Sequence, residues 1–281
     1  MTFRTDPPER AKPEYDARVE LRVLGKSPAW QDAGGACSGY LVSTGELRLL
    51  LDCGSGVLGK LRSVCDYAEV DAIVVSHLHA DHILDLVPYA SGLTYAPRHQ
   101  PVPVDRWPGT DNPPHPRLLA PPGAREAFRR LCAASGMREQ HIETAFRLEE
   151  YDPGAAVSVG DFELTFQPVP HFLPTQAVGI ADGGGRLTYS ADSSPSDALC
   201  AFAQGTDLLL IEATLPRPER EGPRGHLTPQ EAGEHARRAG ARRVVLTHIS
   251  DELDADWARR EAERAFGGPV DVAVEGAVYT V

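Results

Sequence analysis

Residues 71–82 read DAIVVSHLHADH. The first half is a short, β-branched apolar run of the kind a buried strand shows. The second half places His77, His79, Asp81 and His82 within six residues, where such a strand would give way to a helix. Imidazole and carboxylate are good ligands for zinc and related divalent ions. In extended backbone, residues two apart point the same way. His77 and His79 can therefore grip one ion together, while Asp81 and His82, as the chain turns, serve another. The chain has only ten His in 281 residues, so this register is not an accident of composition.

Upstream, VELRVLG (19–25) reads as a strand, and GYLVS (39–43) with LRLLLD (47–52) as a hairpin. GVLGKLRSVC (56–65) has helical spacing, and the segment after DAIVVS (71–76), to about Leu93, is expected to be helical with a Pro at 88. RHQPVPVDRWPGTDNPPHPR (98–117) is too rich in Pro for regular structure. It is expected to be an ordered surface loop serving as lid, pocket wall or dimer contact. Downstream, AAVSVGDFELTFQPVP (155–170) alternates as a hairpin, QAVGIA (176–181) and RLTYSAD (186–192) read as strands, and DLLLIEA (207–213) as a buried strand. Thr228 to Ala239 reads as a helix, with Thr228 as N-cap, Pro229 first, Glu231 closing a capping box and Gly240 after its end. VVLTH (244–248), a helix near 255–266 and two closing strands finish the chain. Each half mixes hairpins and helices, which predicts an α/β fold of two sheets covered outside by helices. Residues 1–17 are polar and are expected to be a flexible tail ahead of a single domain, 18–281.

Composition excludes several classes. With 28 Lys and Arg against 40 Asp and Glu, the formal charge is −12, which disfavours a protein that grips long nucleic acid by charge. No stretch approaches the ~20 apolar residues of a membrane span. The first residues have no apolar signal core, and the five cysteines are scattered and never in C-x-x-C. A reduced, cytoplasmic setting is therefore expected.

H-x-H-x-D-H after a buried strand resembles the signature of the metallo-β-lactamase superfamily. The resemblance runs from about residue 19 to the end and implies a four-layer αββα sandwich of two mixed sheets. It also supplies later ligands at strand ends: His171 after FQPVP, Asp192 ending LTYSAD, and His248 ending VVLTH. By resemblance, His77, His79 and His171 hold a first metal, Asp81, His82 and His248 a second, and Asp192 bridges them. Two divalent ions are implied, zinc with manganese or iron as alternatives. Asp52 in LLLDCGSG matches an acid that supports the ligand histidines, and a plain turn role fits it equally.

Asp192 rather than Cys speaks against a Cys-ligand zinc β-lactamase. His79 stands where flavin-linked di-iron oxygen reductases carry Glu. IEAT (211–214) and GHLT (225–228) resemble elements of the phosphodiesterase branch, which includes tRNA 3′-processing ribonucleases and bacterial cyclic-nucleotide phosphodiesterases. There the His approaches the substrate phosphate and the Glu orients it, roles that fall here on His226 and Glu212. The resemblance thus implies a binuclear hydrolase with Asp81, His226 and Glu212 in the chemistry. The long Gly- and Lys-rich arm and the basic loop of the tRNA enzymes are missing, since HFLPTQAVG follows the hairpin (171–179). Arg217, Arg220 and Arg224 are offset by Glu219 and Glu221. A small phosphodiester such as a cyclic nucleotide is expected, with long nucleic acid disfavoured and a homodimer allowed. The competing expectations are an RNA 3′-end nuclease, a lactone or ester hydrolase, a di-iron redox enzyme and a non-catalytic metal module. The remaining histidines, His99, His115, His141 and His235, are expected at the surface.

Overall fold

Apolar residues alternate in VELRVLG, and the resulting strand β1 (Glu20–Gly25) turns Leu21 and Val23 inward. The computed structural model describes residues 19–219 and 221–281, so the expected N-terminal tail and Arg220 lie outside the described residues. The expected hairpin forms as β2 (Gly39–Thr44) and β3 (Leu47–Leu51), paired antiparallel. β4 (Ala72–Val74), β5 (Arg117–Ala120) and β6 (Arg147–Glu150) then add in parallel beyond β3. A second sheet repeats the plan. β7 (Val157–Val159), β8 (Phe162–Val169), β9 (Thr175–Ala181) and β10 (Arg186–Tyr189) run antiparallel. β11 (Leu208–Glu212), β12 (Arg243–Thr247) and β13 (Asp271–Val272) continue in parallel. β14 (Val278–Thr280) crosses back to pair with β1, so each sheet has seven strands.

The layers follow from three apolar faces. Leu21, Tyr40, Leu49 and Val74 of one sheet meet Phe162, Ile180, Leu187 and Tyr189 of the other in a central core. The outer face of the first sheet packs on α1 (Val57–Val64), α3 (Leu86–Tyr95) and α4 (Ala124–Ala134) through Leu61, Tyr89 and Phe128. The second sheet packs on α6 (Asp197–Phe202), α7 (Pro229–Ala239) and α8 (Ala255–Phe266). This is the expected αββα sandwich. α7 also begins as read, with the Thr228–Glu231 capping box in place and Gly240 ending it.

One local reading changes. The helix expected after DAIVVS, to about Leu93, is two pieces, α2 (Ala80–Ile83) and α3. The loop after β3 causes the break: Cys53 N–H donates to the His82 carbonyl at 2.8 Å, and its own carbonyl accepts from Asp85 N–H at 3.1 Å. Gly54 permits this approach, because a Cβ there would lie 1.9 Å from the Asp81 carbonyl oxygen. The Pro-rich segment is held by side chains. Arg98 forks onto Asp66 and lies over the rings of Tyr67 and Trp107, at 4.8 and 5.3 Å. Asp66 and Tyr67 precede β4, so the base of the loop is anchored at the end of that strand opposite His77. All five cysteines are free. Among the described residues, no helix is long and apolar enough to cross a membrane.

Candidate metal centre

The parallel strands of both sheets end at one edge of the sandwich. Asp52 follows β3, His77 follows β4, Asp192 follows β10, Glu212 closes β11 and His248 follows β12. His79, Asp81 and His82 sit at the start of α2, and His171 lies just past β8. Three non-glycine residues there have left-handed backbone: Asp52 (φ 59°), Ala191 (φ 51°) and His248 (φ 55°). Such conformations cost about 1–3 kcal/mol and persist where surrounding structure demands them. Here each one turns a strand end so that a carboxylate or imidazole faces the same point.

Two groups of donors result. In the first, His79 Nδ1 lies 3.1 Å from His77 Nε2 and 3.0 Å from His171 Nε2, and both of those nitrogens are 3.7 Å from Asp192 Oδ2. In the second, Asp81 Oδ2 lies 3.4 Å from His82 Nε2 and 3.2 Å from His248 Nε2. Asp192 Oδ2 also reaches these two, at 3.4 and 3.5 Å. Donors around one tetrahedral zinc, each about 2.0–2.1 Å from it, sit about 3.3 Å apart. The observed spacings bracket that value. His82 Nε2 and Asp192 Oδ1 are buried without any hydrogen-bond partner. Buried polar atoms are rarely orphaned, and a cation between the donors would complete both. The residues present thus fit two divalent ions that share Asp192.

Electrostatics prepares His77, Asp81 and Asp192 as donors, whereas His82 must lose a proton to join them. Burial and neighbouring imidazoles hold His77 far below the usual histidine range, so it is neutral. Burial works against the charges of Asp81 and Asp192, but His248 and His82 outweigh it and keep both carboxylates ionised. His82 is also buried, yet Asp192 and Asp52 on either side hold it protonated.

The imidazoles of His77, His82, His171 and His248 are each aimed by the other ring nitrogen. Asp52, fully buried, accepts from His82 Nδ1 at 2.7 Å and from the Ser76 hydroxyl at 2.8 Å, and that oxygen lies 3.0 Å from His77 Nδ1. Asp52 also accepts from the Tyr189 hydroxyl at 3.1 Å. Asp52 thus contacts His82 directly and His77 through Ser76, and its left-handed backbone also turns the end of β3. His171 Nδ1–H donates to the Gly225 carbonyl at 2.8 Å, and His248 Nδ1 meets the Thr214 hydroxyl at 2.8 Å.

Glu212 and His226 form a third feature. His226 Nδ1–H donates to Glu212 Oε1 at 3.0 Å, and Ser193 N–H donates to the same oxygen at 2.9 Å. Oε2 accepts from Thr214 N–H and from its hydroxyl. Burial opposes charge on His226, but the hydrogen bond and charge of Glu212 prevail and push its pKa up to about 9. Its ring stacks 5.5 Å from that of His248. His226, Glu212 and His248 also converge, but both Glu212 oxygens are already engaged.

All the site residues expected from sequence therefore meet at this edge. Ser76, Thr214, Tyr189 and the Gly225 carbonyl join them unanticipated, although Thr214 and Gly225 lie in the IEAT and GHLT motifs and Ser76 and Tyr189 in quoted strand segments. Three of the four histidines expected at the surface are buried, and only His115 is exposed. His99 Nδ1 caps the Gly92 and Leu93 carbonyls, His141 pairs with Ser91, and His235 bridges Ser196 N–H and the Glu231 carbonyl. A neutral imidazole offers one donor and one acceptor, which suits such loose backbone ends.

A model of the β-lactamase superfamily domain matches residues 47–249. The chain belongs to the metallo-β-lactamase superfamily. It is 32% identical over 261 residues to the probable metallo-hydrolase YhfI of Bacillus subtilis, covering 93% of this chain and 99% of that one. The crystal structure of YhfI superposes with a TM-score of 0.80 at 29% identity, over 95% and 100% of the two chains. A ribonuclease Z of Halorubrum lacusprofundi is 32% identical over 89% of this chain and 94% of its own. The short form of human tRNase Z shares the fold, with a TM-score of 0.70 at 19% identity over 92% and 98% of the chains. The chain is thus a metal-dependent hydrolase with His and Asp groups disposed to bind divalent ions.

Proposed function

We propose that the protein is a binuclear phosphodiesterase acting on a small phosphodiester such as a cyclic nucleotide. The observation that carries this reading is the His226–Glu212 pair. It stands beside both donor groups, and His226 Nε2 makes no hydrogen bond among the described residues. Phosphodiester hydrolysis builds negative charge on the phosphoryl and leaving oxygens, and a positioned donor stabilises both.

In this reading His77, His79, His171 and Asp192 hold one ion, and Asp81, His82, Asp192 and His248 the other. Zinc suits these donors, and manganese or iron would too. The ions would supply Lewis acidity and lower the pKa of water toward neutrality. Asp81 takes the proton of the attacking water. His226 Nε2–H donates to the phosphoryl oxygen and then to the departing alkoxide. Glu212 keeps that ring oriented and charged.

The relatives named ribonuclease Z support a second reading, cleavage at an RNA 3′ end with the same residues. The compact β7–β8 hairpin and the pairing of Arg224 with Glu231 favour the smaller substrate. A panel of cyclic and linear phosphodiesters with precursor tRNA, run on protein of measured metal content, tests both. His226→Ala should lower phosphodiester turnover about 10²–10³-fold with metals retained. Full activity in that variant would overturn the assignment.

A further inference from the structure

Phe172 follows the expected ligand His171 directly, yet it is 49% exposed. An aromatic ring normally hides its large apolar surface, so one left open beside a site asks what covers it in use. The ring is not loose. It lies against Gly225, where a Cβ would come within 2.2 Å of Phe172 Cε2, so only glycine gives it room. The His171 Nδ1–H bond to the Gly225 carbonyl ties the two loops together beneath it. Phe172 is therefore fixed relative to the donor groups.

Its placement defines a corner. The rings of His226 and His248 stack, 18° apart, with His248 buried and His226 partly exposed. The Phe172 ring stands at 67° to His226, with centroids 5.9 Å apart, and makes a wall. Residues 172–179, FLPTQAVG, carry no charged side chain, so the wall offers a π-face and apolar surface rather than a phosphate contact. A phosphodiester hydrogen-bonded by His226 would carry its base within reach of the Phe172 ring, 5.9 Å from that imidazole. Every nucleobase has a π-face to stack there.

We infer that Phe172 is a stacking platform for the nucleobase, so that the substrate is a base-bearing phosphodiester and not a bare sugar or alkyl diester. The inference rests on the phosphodiesterase reading. The test compares a cyclic nucleotide with the cyclic ribose phosphate that lacks its base, using wild type, Phe172→Ala and Phe172→Tyr at equal metal content. The ratio of kcat/KM for the two substrates should fall about 5- to 160-fold in Phe172→Ala, the worth of one base–aromatic stack. The loss should appear in KM, and Phe172→Tyr should restore the ratio. An unchanged ratio, or equal loss on both substrates, overturns the platform while leaving the phosphodiesterase reading standing. A wild type that hydrolyses neither substrate overturns both.

Discussion

Replacing Glu212 by Gln removes the charge that holds His226 protonated while changing almost no volume. The Glu212 carboxylate takes Ser193 N–H and His226 Nδ1–H on one oxygen, and the Thr214 N–H and hydroxyl on the other. A Gln amide keeps an acceptor on only one side, so its NH₂ must face an N–H donor whichever way it lies. A buried donor left unpaired costs about 1–3 kcal/mol. The larger effect is on His226. Its pKa of about 9 is upheld against burial chiefly by Glu212, and without that charge only the weaker pull of Asp192 and Glu219 opposes burial. A fall to the ordinary histidine value of about 6.5 would take the protonated fraction at pH 8 from about nine-tenths to a few hundredths, roughly thirtyfold. Positive ions nearby lower the pKa in both proteins, so the difference between them survives. The assay is the pH dependence of kcat on a cyclic nucleotide from pH 6 to 10, with metal content measured on each sample. The alkaline limb of Glu212→Gln should lie more than one unit below that of wild type. The stability contribution has a matching sign. A raised folded-state pKa stabilises fully below about 6.5 and loses that contribution as pH rises through about 9, so the gap in Tm should narrow between pH 6 and pH 10. Coincident alkaline limbs at equal metal content would refute the role given to the pair.

Asp52→Ala should weaken metal binding about 10–100-fold by calorimetry, because it frees His82 directly and His77 through Ser76; unchanged affinity would show that Asp52 serves only its turn. Metal loading at pH 7 should release protons, since His82 is held protonated by Asp192 and Asp52; titrations in buffers of different ionisation enthalpy measure this, and zero release contradicts it. Gly54→Ala should destabilise the fold by about 1–3 kcal/mol or more and lower metal content, because its Cβ meets the Asp81 carbonyl; a wild-type Tm would show that the loop yields freely.

The sandwich was legible because each half carries period-two strands and helices with clear punctuation, as at Thr228, Pro229 and Gly240. The donors His77, His79, Asp81 and His82 were legible because they are adjacent in sequence. His171, Asp192 and His248 were reached only by resemblance, since nothing local reveals that β8, β10 and β12 end at one edge. Ser76 escaped notice because its role exists only once β3 and β4 lie side by side and Asp52 faces it. The break between α2 and α3 was invisible for the same reason, as Cys53 reaches it from another element. His99, His141 and His235 were read as surface because polarity alone says nothing of nearby unpaired carbonyls.

Asp52 and Glu212 show how a near-symmetric frame yields a hydrolase. Each is a fully buried carboxylate at the end of a strand, β3 or β11, and each engages a hydroxyl residue, Ser76 or Thr214. Each also governs two imidazoles, one directly and one through that hydroxyl. Asp52 steers His82 and His77, and both belong to the donor groups. Glu212 steers His248 through Thr214, but its direct partner His226 belongs to neither donor group that contains Asp192 and keeps Nε2 uncommitted. The difference separates two kinds of failure. Damage to Asp52 should empty the site, whereas damage to Glu212 should leave it loaded and deprive it of its acid. If both variants lost metal and activity in the same proportion, Glu212 would be one more support of the metal centre, and His226 would lose its claim to a separate chemical role.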